Sequence, residues 1–289
     1  LLKKSMYGTQ DASAIWQRDY TEVLDKEGHV AGKANPALFY NAHEDSRSLV
    51  HGDDFCTLGD EEALDQIEKT LRAKYNLKVT GELKLGTGQD HEVIFLNRVL
   101  RVAGSPDDER FEIEADPRHA EMIVKDLGLE GTNAKSLDTP GLKKEEVERE
   151  EREASPLLSA ADQKLYRSVT MRAAYMAPDR ADLGDAVKNL AKYMQAPRLV
   201  DMTRLKRLGR YLAGNGRLTT KYAWQGEEGE VTGYSDSDWA GCRVTGKPTS
   251  GGVVMIGSHF IKGWSRTQNH VTLSSAEAEL IAMVKCTAE

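Results

Sequence analysis

The spacing of apolar residues divides the chain into short helices and strands. Ile15, Trp16, Tyr20, Val23 and Leu24 recur at helical spacing and predict a helix over 10–27, with Asp11 as N-cap and Gly28 as stop. Strands are expected at 37–41 and 47–59, the second split by Gly52-Asp53-Asp54 between the apolar arms Leu49-Val50 and Phe55…Leu58. Leu64, Ile67 and Leu71 then share one face of a helix over 61–75. Strands around 76–85, 92–97 and 98–103 precede a helix near 117–127. Residues 160–213 read as mostly helical. From Val231 the period is strand-like again, at 231–237, 252–257 and 260–265, before a helix opens near Ser274. No internal repeat is visible. The whole is an α+β pattern.

Composition adds bounds. The 289 residues leave room for about two domains. A hydrophobic fraction of 39% with mean hydropathy −0.54 describes a soluble protein with a modest core. No apolar run approaches the roughly 20 residues that span a bilayer, so no membrane partner is expected. Leu1-Leu2-Lys3-Lys4 leads into no apolar stretch and is no signal peptide. The missing initiator Met, and an end at Glu289 inside an expected helix, suggest cuts through a longer protein. Cys56, Cys242 and Cys286 fit no zinc spacing and point to a reducing, intracellular setting. A net charge of −7 runs against the basic footprint of nucleic-acid proteins, although a local basic groove is compatible with it. Residues 141–156 hold four basic and six acidic side chains and only two large apolar ones, the best domain boundary in the chain.

Two acidic groupings carry the candidate chemistry. Adjacent aspartates at a hairpin tip can face a cleft, because a tight turn breaks strand alternation, and such oxygens suit Mg²⁺. Taken alone, Gly-Asp-Asp is also good turn chemistry with no metal. The second grouping follows residue 236. Asp236 lies in a strand whose alternate residues are apolar or aromatic, where an acid is costly without a partner, and Asp238 could share its face. In the helix LSSAEAELIAM, Ser274 and Glu277 form a capping box, which gives Glu277 a structural task. Glu279 has no such task. The two glutamates flank the apolar stripe Ala276, Leu280, Met283, Val284 and Thr287, so periodicity does not choose between them. Trp239 and Trp264, alternating with apolar neighbours, read as core. On a helix over 202–213, Leu205, Leu208, Tyr211 and Leu212 form the buried stripe. Lys206, Arg207 and Arg210 project opposite, either as phosphate contacts or as a solvated face.

The ordered motifs resemble one family. LKKSMYGTQDASAIWQRDY from Leu2 and SLVHGDDF at 48–55 are similar to the reverse transcriptase of copia-type LTR retrotransposons. There the first run is typically Leu-Tyr-Gly-x-x-x-Ala-Pro-x-x-Trp and the second a Tyr-Val-Asp-Asp hairpin. His51 and Gly52 replace the usual Tyr and Val, and Ser13 stands where Pro is common. FLNRVLRV, LDTPG and KLYRSVTMRAAYMAPDRADLGDAV continue the likeness, with Ala173 and Ala181 in place of Gly and Pro. YSDSDWAG, KPTSGG, the Trp-Ser-x-x-Gln at 264–268 and LSSAEAELIAM resemble the ribonuclease H domain of the same elements.

The resemblance implies a partial reverse-transcriptase palm over 1–141, a linker and helical connection over 142–228, and a truncated ribonuclease H-like fold over 229–289. It implies Asp53, Asp54, Asp236 and Glu279 as catalytic metal ligands, with Glu279 preferred to Glu277. The cofactor implied is Mg²⁺ or Mn²⁺. The partners implied are RNA template, DNA primer, RNA–DNA hybrid, dNTPs and other parts of the polyprotein, in a cytoplasmic virus-like particle with later nuclear access. The family's remaining ligands are expected outside the chain, so the 289 residues alone are expected to lack polymerase activity and most nuclease activity. A decayed element, or a host module that binds nucleic acid without catalysis, would present the same motifs.

Overall fold

The computed structural model describes residues 6, 8–86, 91–105, 108–131, 135–141, 149–226, 229–242 and 245–289. Helix and antiparallel sheet are mixed throughout, in two compact units, residues 1–80 and 81–289. Among the described residues, no helix is long and apolar enough to cross a membrane.

The first unit begins with α1 (Ala12–Lys26). An antiparallel sheet in chain order follows: β1 (Val30–Ala31), β2 (Leu38–Asn41), β3 (Ser46–His51) and β4 (Asp54–Leu58). Then α2 (Glu61–Lys74) starts where the Asp60 carboxylate accepts from the Ala63 N–H at 2.8 Å, an N-cap for an otherwise orphaned donor. Its Ile67 and Leu71 meet Tyr20, Val23 and Leu24 of α1 and Phe39 and Val50 of the sheet in one core. The expected strand around 76–85 is absent. Leu77 packs on this core while Val79 and Leu85 are exposed, and the boundary between the two units falls within this segment, at 80/81.

The second unit contains a sheet ordered β5 (His91–Phe95), β6 (Arg98–Ala103), β7 (Arg110–Glu114) and β8 (Thr219–Ala223). Between β7 and β8 run α3 (Pro117–Asp126), α4 (Arg149–Ala154), α5 (Ala160–Met176), α6 (Gly184–Ala191) and α7 (Leu199–Gly214). They bury Ile123, Tyr166, Val169, Leu183, Leu205 and Leu208 in the larger core. Arg180 is buried there too, paired with Asp182 at 2.7 Å and donating to the carbonyls of Asn215 and Gly216.

Residues 142–148 of the charged stretch lie outside the described residues, as do Leu2–Ser5 and Tyr7 of the first motif. Of a solvated linker and a loose helix, the two readings that its charge allows, the end of that stretch forms the helix, α4. Arg152 of α4 lies over the Tyr193 ring and pairs at 3.0 Å with Asp201, which is fully buried.

The C-terminal part is a three-stranded antiparallel sheet, β9 (Val231–Asp238), β10 (Thr249–Ile256) and β11 (His259–Thr267), with β10 central, followed by α8 (Ser275–Ala288). α8 meets β9 and β10 through Ala278 and Ala282, both fully buried. The large residues of the apolar stripe face the other way: Leu280, Met283 and Val284 are each about 60% exposed. Alanine lets the helix come close to the sheet, so the small residues mark the buried face and the large ones do not.

Candidate functional site

Each acidic grouping is positioned by its own elements. In the first unit β3 and β4 pair with Val50 opposite Phe55 and His51 opposite Asp54, leaving Gly52 and Asp53 as the two-residue turn. Gly52 has φ +65, and Asp53 is not in the left-handed region, the pattern of a type II′ hairpin turn. A Cβ on Gly52 would meet nothing within 4 Å, so backbone conformation alone accounts for the glycine. His51, Asp53 and Asp54 are all exposed at this tip.

The tip is held from below by a residue that the apolar pattern assigned only to the core. Trp16 of α1 donates from Nε1 to the Gly52 carbonyl at 2.6 Å while its ring meets Tyr20, Phe55 and Tyr75 edge-on. α1 is in turn fixed by Asp19, whose carboxylate accepts from Lys74 and from the Tyr75 hydroxyl, each at 2.7 Å. The Lys74 bond, then the Tyr75 bond, hold Asp19 below the usual carboxylate range. No local periodicity signals this polar use of Trp16.

In the second unit Asp236 is exposed on β9, facing Gly251 across the ladder. Glu279 reaches β9 from the first turns of α8, its Oε1 accepting from the Ser237 N–H at 3.2 Å. The carboxylate of Glu279 therefore lies next to the residue that follows Asp236. The two rival acids are engaged elsewhere. Asp238 accepts from the Thr249 N–H. Glu277 takes the Leu273 N–H at 2.7 Å, while the Ser274 hydroxyl accepts from the Glu277 N–H at 3.2 Å. The helix N-terminus thus occupies Glu277, as a capping residue should.

Trp239 is no core residue. It is 54% exposed and donates to the Thr272 carbonyl, tying the end of β9 to the turn before α8. Trp264 is half-buried, its ring lying over Gly252, where an added Cβ would clash with it.

On α7, Lys206 and Arg210 are exposed as the helical pattern expects. Arg207 does not project freely. It donates to the Gly141 carbonyl and the Thr139 hydroxyl, each at 2.8 Å, and so fixes the segment before the charged stretch to the helix. Among the described residues, no three His, Cys, Asp or Glu side chains converge into one metal-binding group.

The chain is 29% identical over its whole length to the Retrovirus-related Pol polyprotein from transposon RE1 of Arabidopsis thaliana, of which it covers 18%. Over 127 residues, 43% of the chain, it is 36% identical to the Pol polyprotein from transposon RE2 of the same plant, covering 8% of it. It is also 31% identical over 134 residues, 46% of the chain, to Secreted RxLR effector protein 161 of Plasmopara viticola, of which it covers 88%. No protein-family profile and no solved structure matches it.

Proposed function

The chain belongs to the retrovirus-related Pol polyproteins of copia-type transposons, and from that premise we propose that it joins a stretch of RNA-directed DNA polymerase to a stretch of ribonuclease H. The observation that carries the reading is the meeting of α8 with β9, where Glu279 is bonded to the residue after Asp236. Asp236 and Glu279, whose nearest acidic rivals accept N–H groups elsewhere, are the oxygen donors proposed for Mg²⁺ or Mn²⁺. A bound ion of this kind stabilises charge on a phosphoryl oxygen and activates the attacking oxygen. Asp53 and Asp54 are the corresponding donors at the hairpin tip, oriented by Trp16 through the turn carbonyl.

The substrates proposed are the RNA template, DNA primer, dNTPs and RNA–DNA hybrid. Other parts of the same polyprotein complete the ligand sets, because among the described residues neither pair gains a third acid. The 289 residues alone are therefore expected to bind ion and hybrid without sustained primer extension. Extension abolished by Asp53→Asn would overturn that expectation. Lys206 and Arg210 are proposed as phosphate contacts. Removing either should reduce the salt slope of hybrid binding by about one. Arg207→Ala should instead act mainly on stability, because its guanidinium is committed to residues 139–141.

Paramagnetic broadening by Mn²⁺ tests the nuclease-side reading directly. Amides near 236 and 279 should broaden at low Mn²⁺, and Asp236→Asn or Glu279→Gln should abolish this while Glu277→Gln preserves it. Broadening indifferent to Asp236→Asn would refute it. A second reading, a module that binds nucleic acid without catalysis, is compatible with the lack of a three-acid group among the described residues. Hybrid binding unaffected by both Mn²⁺ and Asp236→Asn would support that alternative.

A further inference from the structure

We infer that Gln268 is a positioning residue for the Glu279 carboxylate, an inference that rests on the reading of Asp236 and Glu279 as cation ligands. Gln268 follows β11 and is only 6% exposed. Its backbone is fixed by donation from its N–H to the Pro248 carbonyl at 2.8 Å. Its side-chain Nε2 donates to the Ser250 hydroxyl and to the Ala278 carbonyl, each at 2.9 Å. Ser250 stands opposite Ser237 in the β9–β10 ladder, and the Ser237 N–H donates to Glu279. Ala278 is the residue before Glu279. The contacts close a ring: Glu279, Ser237, Ser250, Gln268, Ala278, and back to Glu279 along the helix.

The need for such a ring follows from what α8 buries. Ala278 and Ala282 present methyl groups to the sheet, and methyl groups impose little register. A slip of one residue turns a helix by about 100° and moves it about 1.5 Å, enough to take Glu279 away from β9. A directional bond to the carbonyl beside Glu279 prevents that slip. A carbonyl oxygen has two lone pairs, so Ala278 can accept from Gln268 without giving up its helical bond. Gln268 Oε1 is buried and has no hydrogen-bond partner among the described residues. An apolar side chain would avoid that desolvation cost, and what it would lack is the pair of N–H donors.

The test uses the full chain labelled with ¹⁵N-serine and ¹⁵N-glutamine, with two readouts: the Ser237 amide proton shift and the Mn²⁺ affinity at 236/279. In the unmutated chain the Gln268 side-chain amide protons should resist exchange, and their rapid exchange overturns the inference whether or not any variant folds. Gln268→Met, close in size but without donors, should shift the Ser237 amide upfield and weaken Mn²⁺ binding by about tenfold or more. Gln268→Glu, nearly isosteric and also without the N–H donors, should do the same. Ser250→Ala, which opens the ring but spares the bond to Ala278, should move both readouts less than Gln268→Met does, and an equal or larger effect would overturn the assignment of positioning to the Ala278 bond. A folded Gln268→Met chain of lower melting temperature, with both readouts unchanged, would reduce Gln268 to ordinary structure and overturn the inference. If Mn²⁺ never binds the original chain near 236 but the Ser237 amide still moves, positioning stands and the cation reading falls.

Discussion

Gly52 and Glu114 each make one residue answerable to one measurement. At φ +65 in a type II′ turn, Gly52 occupies backbone space that a β-branched residue enters only with strain. Gly52→Val, the residue usual in the resembling hairpins, should destabilise the first unit by about 1–2 kcal/mol, read from urea denaturation. An unchanged midpoint would mean that the turn has another conformation in solution. Glu114 is buried between two cations, Arg217 at 2.5 Å and Arg101 at 2.6 Å. The Arg217 bonds first, against the opposing effect of burial, and then Arg101 hold its carboxyl below the ordinary glutamate range. A depressed folded-state pKa means that the stabilisation is fully present above the unfolded value of about 4.3 and disappears as pH falls through the lower folded value. Glu114→Gln should therefore be less stable at neutral pH, with the difference shrinking below about pH 4.3 in thermal melts. A gap that stayed constant from pH 7 to 3 would contradict the assignment. The chemistry of the acidic residues was legible because motifs are local in the chain. The capping role of Glu277 was legible in its local box, whereas the N–H that Asp238 accepts from Thr249 is visible only in three dimensions.

α8 carries the corresponding lesson for whole elements, since its buried face consists of alanines and its large apolar residues face outward. Ala282→Leu should overpack the helix against β9 and β10 and cost about 1–3 kcal/mol. Leu280→Ala, at a 60% exposed position, should change stability by no more than about 0.5 kcal/mol. The reverse ranking in paired melts would show that α8 docks through its other face. In α8 side-chain size does not track burial, and in β7 polarity does not track exposure. Its Arg-Phe-Glu-Ile-Glu sequence looks solvated, yet Glu112 and Glu114 are buried because arginines neutralise them. β8 went unseen for a related reason: its partner β7 lies about a hundred residues earlier, and pairing over that separation leaves no mark in local periodicity. The elements that were legible, α2, α3, α7 and the β3–β4 hairpin, are those whose caps, apolar spacing and turn residues agree locally.

At the scale of the molecule, the two compact units have separate cores, one built on Tyr20, Phe39, Val50 and Ile67, the other on Ile123, Tyr166, Leu205 and Leu208. A division at 80/81 puts the hairpin aspartates and the Asp236–Glu279 pair in different units, so each site depends on a different core for its geometry. Two cores joined by one chain crossing need not melt together, because cooperativity follows shared buried contacts. The tryptophans make this measurable. Trp16 packs in the aromatic cluster of the first unit, whereas Trp224, Trp239 and Trp264 belong to the second. With those three replaced by Phe, tryptophan fluorescence follows unit 1 alone, while far-UV circular dichroism is dominated by the longer helices of unit 2. Urea titration should give two transitions that do not coincide. Gly52→Val should move only the fluorescence transition, and Ala282→Leu only the dichroism one. Coincident curves that both variants shift together would mean one cooperative fold, with the hairpin and the C-terminal acids stabilised as a single body.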